Sequence, residues 1–298
     1  MGKSVVFRAL LATCLTVSVA VTAWTAAAGA AGLDRATIRG ARAHCLRRPS
    51  ILLSSPPVAG PFESSDGLVP PPGAGYVTGS WGGWLANSSS QTYVATEMDL
   101  TEPSVTSYCS GYNSEAQWTG LGGFNSKQLV QDGVEVPSSY TSLCSSKSSG
   151  YCAWYEYLNS SNSNPPHILS KVDVNAGDSI HLYTSYSTSN GEIDFYVADN
   201  TTGTGQSLLI TGVGSSYDDG STGDFIGAER LAGNGLKHFS QFDTSNGYAE
   251  NKSGSWTTIS SAQYPTKATL TNGSDTLAIT GGLNSSGTGF SMTWNACN

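Results

Sequence analysis

Charged side chains are scarce in this sequence: Lys, Arg, Asp and Glu together make up 12% of the 298 residues. So little charge excludes a coiled coil, a disordered acidic tail and a histone-like nucleic-acid binder. Methionine is rare as well, with 3 residues, and outside the N-terminus no long window keeps a helical hydrophobic period. A helical bundle is therefore not expected.

Glycine, serine, threonine and asparagine are abundant, and aromatic residues reach 10%. Short alternating segments rich in β-branched and aromatic residues predict strands. They are Thr92–Leu100, Gln128–Val136, Tyr151–Leu158, Ser179–Ser187, Glu192–Asp199, Ser207–Val213, Asp224–Arg230, Thr266–Thr271, Thr276–Leu283 and Gly289–Trp294. Turn sequences such as Asn190-Gly191 and Asn272-Gly273 separate them. The pattern predicts an all-β fold, either two packed antiparallel sheets or a barrel.

Residues 1–31 have the layout of a secretory signal peptide. Lys3 and Arg8 precede an apolar run from Ala9 to Trp24, and small residues follow it. A membrane anchor is the alternative, but the run is shorter than the roughly 20 apolar residues that a spanning helix needs. We therefore expect a secreted, extracellular protein.

Residues 32–73 form a basic, Pro-rich segment with five arginines and seven of the 12 prolines. The body that follows, residues 74–298, holds 7 basic and 19 acidic residues. Opposite charges favour a pro-segment that inhibits the body, although a surface spacer is the simpler alternative. The negative body also argues against nucleic acids and anionic membranes as partners, and we expect a monomer.

Four cysteines remain after residue 73, which permits three disulfide pairings. Cys144 and Cys152 could close a short hairpin, and Cys109 with Cys297 would then tie the C-terminus to an early strand. Zinc is the competing explanation, but no CxxC or HxxxH spacing is present. We expect no metal and no cofactor.

Motifs of several hydrolase classes are missing from the sequence: there is no GxSxG, no HExxH and no P-loop. An aspartic peptidase needs two Asp-Thr/Ser-Gly loops, and the chain holds only a partial match at Asp243. Carboxylate and amide chemistry on strands is what remains.

An ordered series of segments resembles the glutamic peptidases, or eqolisins, of the bacterial type. The segments, which together span most of residues 80–240, are Ser80-Trp81-Gly82-Gly83, Trp118-Thr119-Gly120-Leu121-Gly122-Gly123, Leu129-Val130-Gln131-Asp132-Gly133-Val134, Tyr151-Cys152-Ala153-Trp154-Tyr155-Glu156, Ala176-Gly177-Asp178-Ser179-Ile180 and Ala228-Glu229-Arg230. The resemblance implies a secreted, acid-active endopeptidase made as a proenzyme. It also implies a β-sandwich of two antiparallel sheets, similar to concanavalin or jelly-roll folds, with a Gln–Glu catalytic pair.

The resemblance places the catalytic residues at Gln131 and Glu229. The family motif has two glutamates four positions apart, of which the second is catalytic, and Phe225 stands here in the first position. The other register puts Gly233 in the second position and leaves no catalytic carboxylate. Acidic residues common near the family's cleft are Gly122 and Cys152 here.

Chemistry gives the same two residues distinct roles. Glu229 takes a proton from water and returns it to the leaving amine, while the neutral amide of Gln131 holds the water and stabilises the oxyanion. A carboxylate with an ordinary pKa of about 4.3 is ionised in mild acid, which favours acid activity on polypeptide substrates.

Substrate binding is expected from Trp118, Trp154, Tyr155 and Glu156. Strand alternation puts Cys152, Trp154 and Glu156 on one face and Tyr151, Ala153, Tyr155 and Tyr157 on the other. Trp154 and Glu156 line a cleft if their face is concave, and Trp118 joins them there. Both tryptophans are alternatively explained as sandwich core.

Two other functions fit part of the sequence. A secreted, acidic sandwich rich in Trp and Tyr also suits a carbohydrate-binding module, or a glycoside hydrolase with Glu156 and Glu229 as paired carboxylates. A catalytically inactive relative that only binds peptides is a third possibility.

Overall fold

A computed structural model gives the fold. It describes residues 76–78, 81–89, 92–107, 109, 113–124, 128–136, 143–158, 165–214, 220–229, 235–272 and 275–297. The predicted signal peptide at 1–31 and the pro-segment at 32–73 lie outside these residues, so both stay predictions, as does the boundary of the body at residue 74.

The described residues form strands joined by turns, with two short 3-10 helices at Leu143–Ser146 and Ile259–Ser261. The strands are β1 (Tyr76–Thr78), β2 (Trp81–Asn87), β3 (Tyr93–Thr101), β4 (Val105–Ser107), β5 (Asn113–Ser114), β6 (Ala116–Gly122), β7 (Leu129–Glu135), β8 (Cys152–Leu158), β9 (His167–Ile168), β10 (Ser179–Ser187), β11 (Glu192–Asp199), β12 (Thr204–Thr211), β13 (Thr222–Glu229), β14 (Gly235–Leu236), β15 (His238–Phe239), β16 (Phe242–Asn251), β17 (Trp256–Thr258), β18 (Tyr264–Asn272), β19 (Asp275–Thr280) and β20 (Ser291–Trp294). No helix within these ranges is long and apolar enough to cross a bilayer.

Two antiparallel layers share one strand. The first layer, which we call the site sheet, has the order β20-β19-β18-β2-β13-β6-β7-β8-β9, and the second, the back sheet, has the order β12-β11-β10-β3-β16. Phe242 and Asp243 at the start of β16 pair with β20, whereas the rest of β16 pairs with β3. The chain therefore passes from one sheet to the other within a single strand.

The main hydrophobic core lies between the two sheets. Strands β6 and β7 of the site sheet lie against β3, β10 and β11 of the back sheet. Alternate residues fill the space, among them Val130 and Val134 from β7 and Leu182 and Phe195 from the back sheet. The prediction of an all-β sandwich of two antiparallel sheets is confirmed.

All ten predicted strands are present, with bounds that shift by a few residues. Ten strands in the described ranges were not predicted: seven are only two or three residues long, and the longer ones are β2, β6 and β16. Strands β2 and β6 lie inside the site sheet and are buried along almost their whole length, so they show no polar alternation. Strand β16 contains Asn246-Gly247, which is typical of a turn, but here Asn246 has a φ of 55° within a strand irregularity.

Both expected disulfide bonds are present, Cys109–Cys297 and Cys144–Cys152. The first closes a loop with a sequence separation of 188 residues, and the second one of 8 residues. Near the first bond, the Leu236 N–H donates to the carbonyl oxygen of Cys297 at 3.0 Å. The disulfide and this hydrogen bond together hold the C-terminal segment near β14.

Several carboxyl groups are buried in or beside the core, including those of Glu102, Glu115 and Asp132. Burial raises the pKa of each well above its usual value, because the charged form loses its hydration. The pKa is likewise raised for Asp178, Glu156 and Glu229. Through these carboxyl groups the folded protein binds more protons than the unfolded chain does between about pH 4 and neutrality.

Replacing Cys109 and Cys297 by alanine should lower the free energy of unfolding by about 2–5 kcal/mol, because the unfolded chain gains the freedom of a long loop. The matched double variant Cys144→Ala/Cys152→Ala should cost less, since its loop is short. Urea unfolding of both variants checks the ranking, and the reverse order would contradict the loop argument.

Stability should fall as pH rises. A carboxyl group with a raised folded pKa stabilises the fold below its unfolded pKa, and this stability is lost as pH rises through the folded pKa. The free energy of unfolding should therefore be highest near pH 4 and decrease towards about pH 8. Urea titrations across this range measure the trend, and Glu102→Gln should make it shallower. A stability that increases with pH would contradict it.

Candidate active site

A second, smaller hydrophobic cluster lies on the other face of the site sheet, away from the core. Its members come from β2, β6, β7, β8, β13 and the residues after β6, and they are Trp81, Leu85, Ala116, Trp118, Phe124, Leu129, Trp154, Leu158 and Ile226. In β8, Trp154 belongs to this cluster, whereas Ala153, Tyr155 and Tyr157 belong to the main core. The predicted alternation along β8 is confirmed, and Trp118 does join Trp154. We call this surface the site face.

Strand register brings Gln131 and Glu229 to the site face. Gln131 on β7 lies opposite Gly120 on β6, and Glu229 on β13 lies opposite Ala116, which precedes Gly120 by four residues on β6. Because alternate residues of β6 share a face with Trp118, both side chains lie on the Trp118 side. They are 1% and 7% exposed, so the site is nearly closed to solvent.

A β-bulge in β13 is what turns Glu229 towards this face. Ile226 lies opposite Trp118 and Glu229 opposite Ala116, so β13 uses one more residue than β6 over this step. Without the extra residue, Ala228 would take the position of Glu229. Gly227 occupies the bulge, and a Cβ atom there would lie 2.2 Å from Cγ of Met292. Only glycine fits this close approach without displacing its neighbours.

Two indole groups hold the carboxyl group of Glu229. Nε1 of Trp118 donates a hydrogen bond to Oε2 at 2.5 Å, and Nε1 of Trp81 donates one to Oε1 at 3.2 Å. The two rings meet edge to face, with centroids 5.0 Å apart. A Cβ atom on Gly133 would lie 2.7 Å from Cβ of Trp118, so this glycine leaves room for the ring. The carboxyl group is therefore fixed in orientation.

Gln131 is held by Glu156 on the neighbouring strand. The two residues lie directly opposite each other on β7 and β8, and Nε2 of Gln131 donates to Oε2 of Glu156 at 2.6 Å. Within the described chain, Oε1 of Gln131 is buried and has no hydrogen-bond partner. Nε1 of Trp154, close by on β8, is likewise buried and unpartnered. Among the described residues, the site face therefore carries an unused acceptor, Oε1 of Gln131, and an unused donor, Nε1 of Trp154.

Burial dominates the electrostatics of both glutamates. Loss of hydration raises the pKa of Glu229 to about 8, the two indole hydrogen bonds oppose this rise, and the charge of Glu135 reinforces it. Loss of hydration likewise raises the pKa of Glu156 to about 8, with Gln131 opposing and Glu229 reinforcing. The repulsion between Glu156 and Glu229 shows that the two carboxyl groups lie close enough to influence each other.

A buried lysine lies at one end of the site face. Lys237 is fully buried next to β14, and its charge interacts with Glu135 and Glu115. Burial lowers the pKa of Lys237 to about 8, and both carboxylates oppose this change. Ala116 on β6 lies between Glu135 on β7 and Glu229 on β13, so the three residues form one row across the sheet. A row of titratable groups therefore runs from the lysine to Glu229.

The structure does not bring Tyr155 to the site face. Its ring lies between the sheets, stacked on His167 at 5.3 Å and tilted against Phe195 at 5.1 Å between ring centroids. Its position follows from the alternation that places Trp154 and Glu156 on the opposite face. Tyr155 is therefore a core residue, and we leave it out of the substrate-binding residues.

Three residues of the site face received no role in the sequence analysis: Trp81, Glu135 and Asp224, whose buried carboxyl group lies opposite Gly120 in the same cross-strand row as Gln131. Trp81 was part of a quoted motif but received no role, although it donates to Glu229. Glu135 follows Gln131 by two alternations along β7, a spacing that places it on the same face. Cys152, which stands where the glutamic peptidases commonly have an acidic residue, is joined to Cys144 in the disulfide. In the described ranges, no group of three or more His, Cys, Asp or Glu side chains is placed to hold a metal ion.

Comparisons with known proteins agree with this architecture. Two solved structures resemble the chain: scytalido-glutamic peptidase with a transition state analog inhibitor (TM-score 0.56) and SCP-B, a member of the eqolisin family, with the tripeptide Ala-Ile-His (TM-score 0.53). Each has 16% sequence identity and covers 73% of this chain and 98% of its own. At this identity the likeness shows a shared fold.

No curated protein matches the chain significantly. The model of the Peptidase A4 family, however, matches residues 79–294, which include the whole site face. This match favours a peptidase over the carbohydrate-binding alternatives. The predicted glutamic peptidase identity is confirmed at this level: the chain belongs to the Peptidase A4 family.

Proposed function

We propose that the protein is a secreted endopeptidase that hydrolyses polypeptides with Gln131 and Glu229 acting on one water molecule. Both side chains lie on the site face, at register positions four residues apart along β6, and this arrangement supports the proposal, with Glu229 fixed by two indoles and Oε1 of Gln131 unpartnered within the described chain. The two disulfides support secretion, since such bonds persist in oxidising compartments.

The reaction begins with water held by Oε1 of Gln131 and the Glu229 carboxylate. Glu229 takes a proton as the water oxygen bonds to the peptide carbonyl carbon. The carbonyl oxygen becomes an oxyanion, which the second N–H of the Gln131 amide stabilises. Glu229 then gives its proton to the leaving nitrogen as the carbon–nitrogen bond breaks, which restores the carboxylate.

Glu156 and Trp154 support this reaction in different ways. Glu156 fixes the amide plane of Gln131 through the 2.6 Å hydrogen bond, so that Oε1 and the second N–H stay available. The indole N–H of Trp154 is a donor for a substrate carbonyl group, and Trp118 contributes its ring to the same surface. Because these side chains are buried, substrate entry requires the site face to open.

The pro-segment at 32–73 is the natural candidate for an inhibitor. Its five arginines oppose a body with 7 basic and 19 acidic residues, so electrostatic attraction favours association. As carboxylates of the body protonate in acid, this attraction weakens. We propose that acid releases the segment before it is removed.

Burial changes the pH range expected for catalysis. The argument from sequence used an ordinary carboxyl pKa, whereas burial raises the pKa of Glu229 to about 8. The carboxylate form therefore increases with pH well above the usual carboxyl range, while the fold weakens in the same direction. We propose that the activity window lies around neutral pH rather than in strong acid.

Glu229→Gln should abolish turnover of a denatured protein substrate while the protein stays folded, because an amide cannot take the proton from water. Gln131→Ala should reduce kcat by about 10²–10³-fold, since it removes the oxyanion donor. Glu192→Gln, on the back sheet, is the matched control and should keep full activity. An active Glu229→Gln variant, or an inactive native enzyme, would refute the proposal.

Removing an indole donor should move the pH profile. Trp81→Phe deletes one of the two hydrogen bonds that lower the pKa of Glu229, so the ascending limb of kcat/KM should move to higher pH. The limb reports ionisation in the free enzyme, so kcat/KM measured across pH on a peptide substrate is the suitable readout. Trp256→Phe, outside the site, should leave it in place. A limb that moves to lower pH in Trp81→Phe would contradict the assignment.

A further inference from the structure

Asp132 is a buried carboxyl group directly behind the catalytic amide. It follows Gln131 in β7, so its side chain points to the opposite face, into the space between the sheets. It is fully buried, and its strand neighbours on that face are Thr119 on β6 and Tyr155 on β8. The proposed reaction makes no use of this group.

The side chain of Asp132 reaches across the core to the back sheet. The N–H of Tyr196 on β11 donates to Oδ2 at 3.1 Å, and the hydroxyl group of Thr184 on β10 lies near the carboxyl group while it donates to the carbonyl oxygen of Thr119 at 3.4 Å. Oδ1 is buried and has no hydrogen-bond partner in the described chain. Asp132 is thus a polar link between the strand that carries Gln131 and two strands of the other layer.

The surroundings of Asp132 disfavour a negative charge. Burial raises its pKa well above the usual value, and the nearby charge of Asp194 on β11 adds to the rise. Among the titratable side chains of β8, β10 and β11, the phenol of Tyr155 faces Asp132, whereas Tyr183 and Tyr196 approach it through their backbone and have their rings on the outer face of the back sheet. His167 lies beyond Tyr155, and burial lowers the pKa of its imidazole. The folded core therefore favours the neutral carboxylic acid.

We propose that Asp132 is a positioning residue that holds Gln131 in its catalytic place only while its own carboxyl group is protonated. This inference rests on the proposed function, because it assumes that the Gln131 amide acts in the reaction. A neutral carboxyl group lets β7 pack against β10 and β11. An ionised group requires water or a cation, which the closely packed interior can admit only if β7 moves away from the back sheet.

Movement of β7 has a direct consequence on the site face. Gln131 and Asp132 share a peptide unit, so a displacement at Asp132 shifts the amide relative to Glu156 and Glu229. The 2.6 Å hydrogen bond between Gln131 and Glu156 leaves little tolerance for such a shift. Ionisation of Asp132 therefore lowers kcat at a pH where most of the protein is still folded, and it sets the alkaline limit of the enzyme.

The test compares Asp132→Asn with the native enzyme. Asparagine keeps the shape and an oxygen acceptor for the Tyr196 N–H but stays neutral at every pH. The variant should retain kcat at low pH within about threefold, and its alkaline limb of kcat should move up by about one pH unit or more. Circular dichroism at each pH separates loss of catalysis from loss of fold, and Asp132→Thr offers a second neutral variant if the amide does not fold.

Two controls make the outcome specific to Gln131. Glu102→Gln removes another fully buried carboxyl group with a raised pKa, so it should improve stability at high pH but leave the alkaline limb of kcat in place. Asp275→Asn removes an exposed carboxylate and should change neither quantity. An unchanged limb in both neutral Asp132 variants, or an equal shift in Glu102→Gln, would overturn the inference.

Failure of the inference differs from failure of the proposed function. If Glu229→Gln inactivates the enzyme and Asp132→Asn leaves the alkaline limb unchanged, the catalytic pair stands and only the role of Asp132 is wrong. If Glu229→Gln stays active, the catalytic pair itself is wrong, and with it the reason for tying Asp132 to Gln131.

Discussion

The β-bulge at Gly227 is the constraint on which the candidate site depends. One extra residue in β13 changes which side chain faces the tryptophans, so that Glu229 rather than Ala228 reaches the indole groups of Trp81 and Trp118. Bulges commonly re-aim side chains next to active sites. Here the re-aimed group is an acid whose two oxygens each accept one indole hydrogen bond. Its orientation is set before any substrate arrives.

Both faces of the site sheet contribute to the same chemistry in different ways. The outward face carries the carboxyl and amide groups, while the inward face fixes the strands that hold them. Glycines stand at the closest approaches, such as Gly133, where a Cβ atom would lie 2.2 Å from the carbonyl oxygen of Gln117 and 2.7 Å from Cβ of Trp118. Because the surrounding cluster is apolar, the ionisation state of the buried carboxyl groups there responds strongly to any change in hydration.

Sequence alone was sufficient for much of the fold. Strands with polar and apolar alternation, such as β10 and β11, were predicted with correct bounds, because their exposed faces leave a readable pattern. Strands β2 and β6 were missed because they are buried on both faces and rich in glycine. The same alternation along β8 separates Trp154 from Tyr155, so the core position of Tyr155 could have been predicted from the sequence.

The site was predictable in composition but not in its energetics. Gln131 and Glu229 followed from resemblance, whereas the bulge that joins them to one face depends on pairing between strands distant in sequence. The pKa of Glu229 could not be read from the chain either, since it depends on how completely neighbours remove water. The acid range of activity, inferred from an ordinary carboxyl value, therefore stays a prediction.

Strand β16 belongs to both layers, because its first residues pair with β20 and the remainder with β3. The sandwich consequently has no plane along which its two halves separate without breaking a continuous hydrogen-bonded strand. Loss of either layer must carry the other with it, so this protein is built to come apart in a single cooperative event rather than layer by layer.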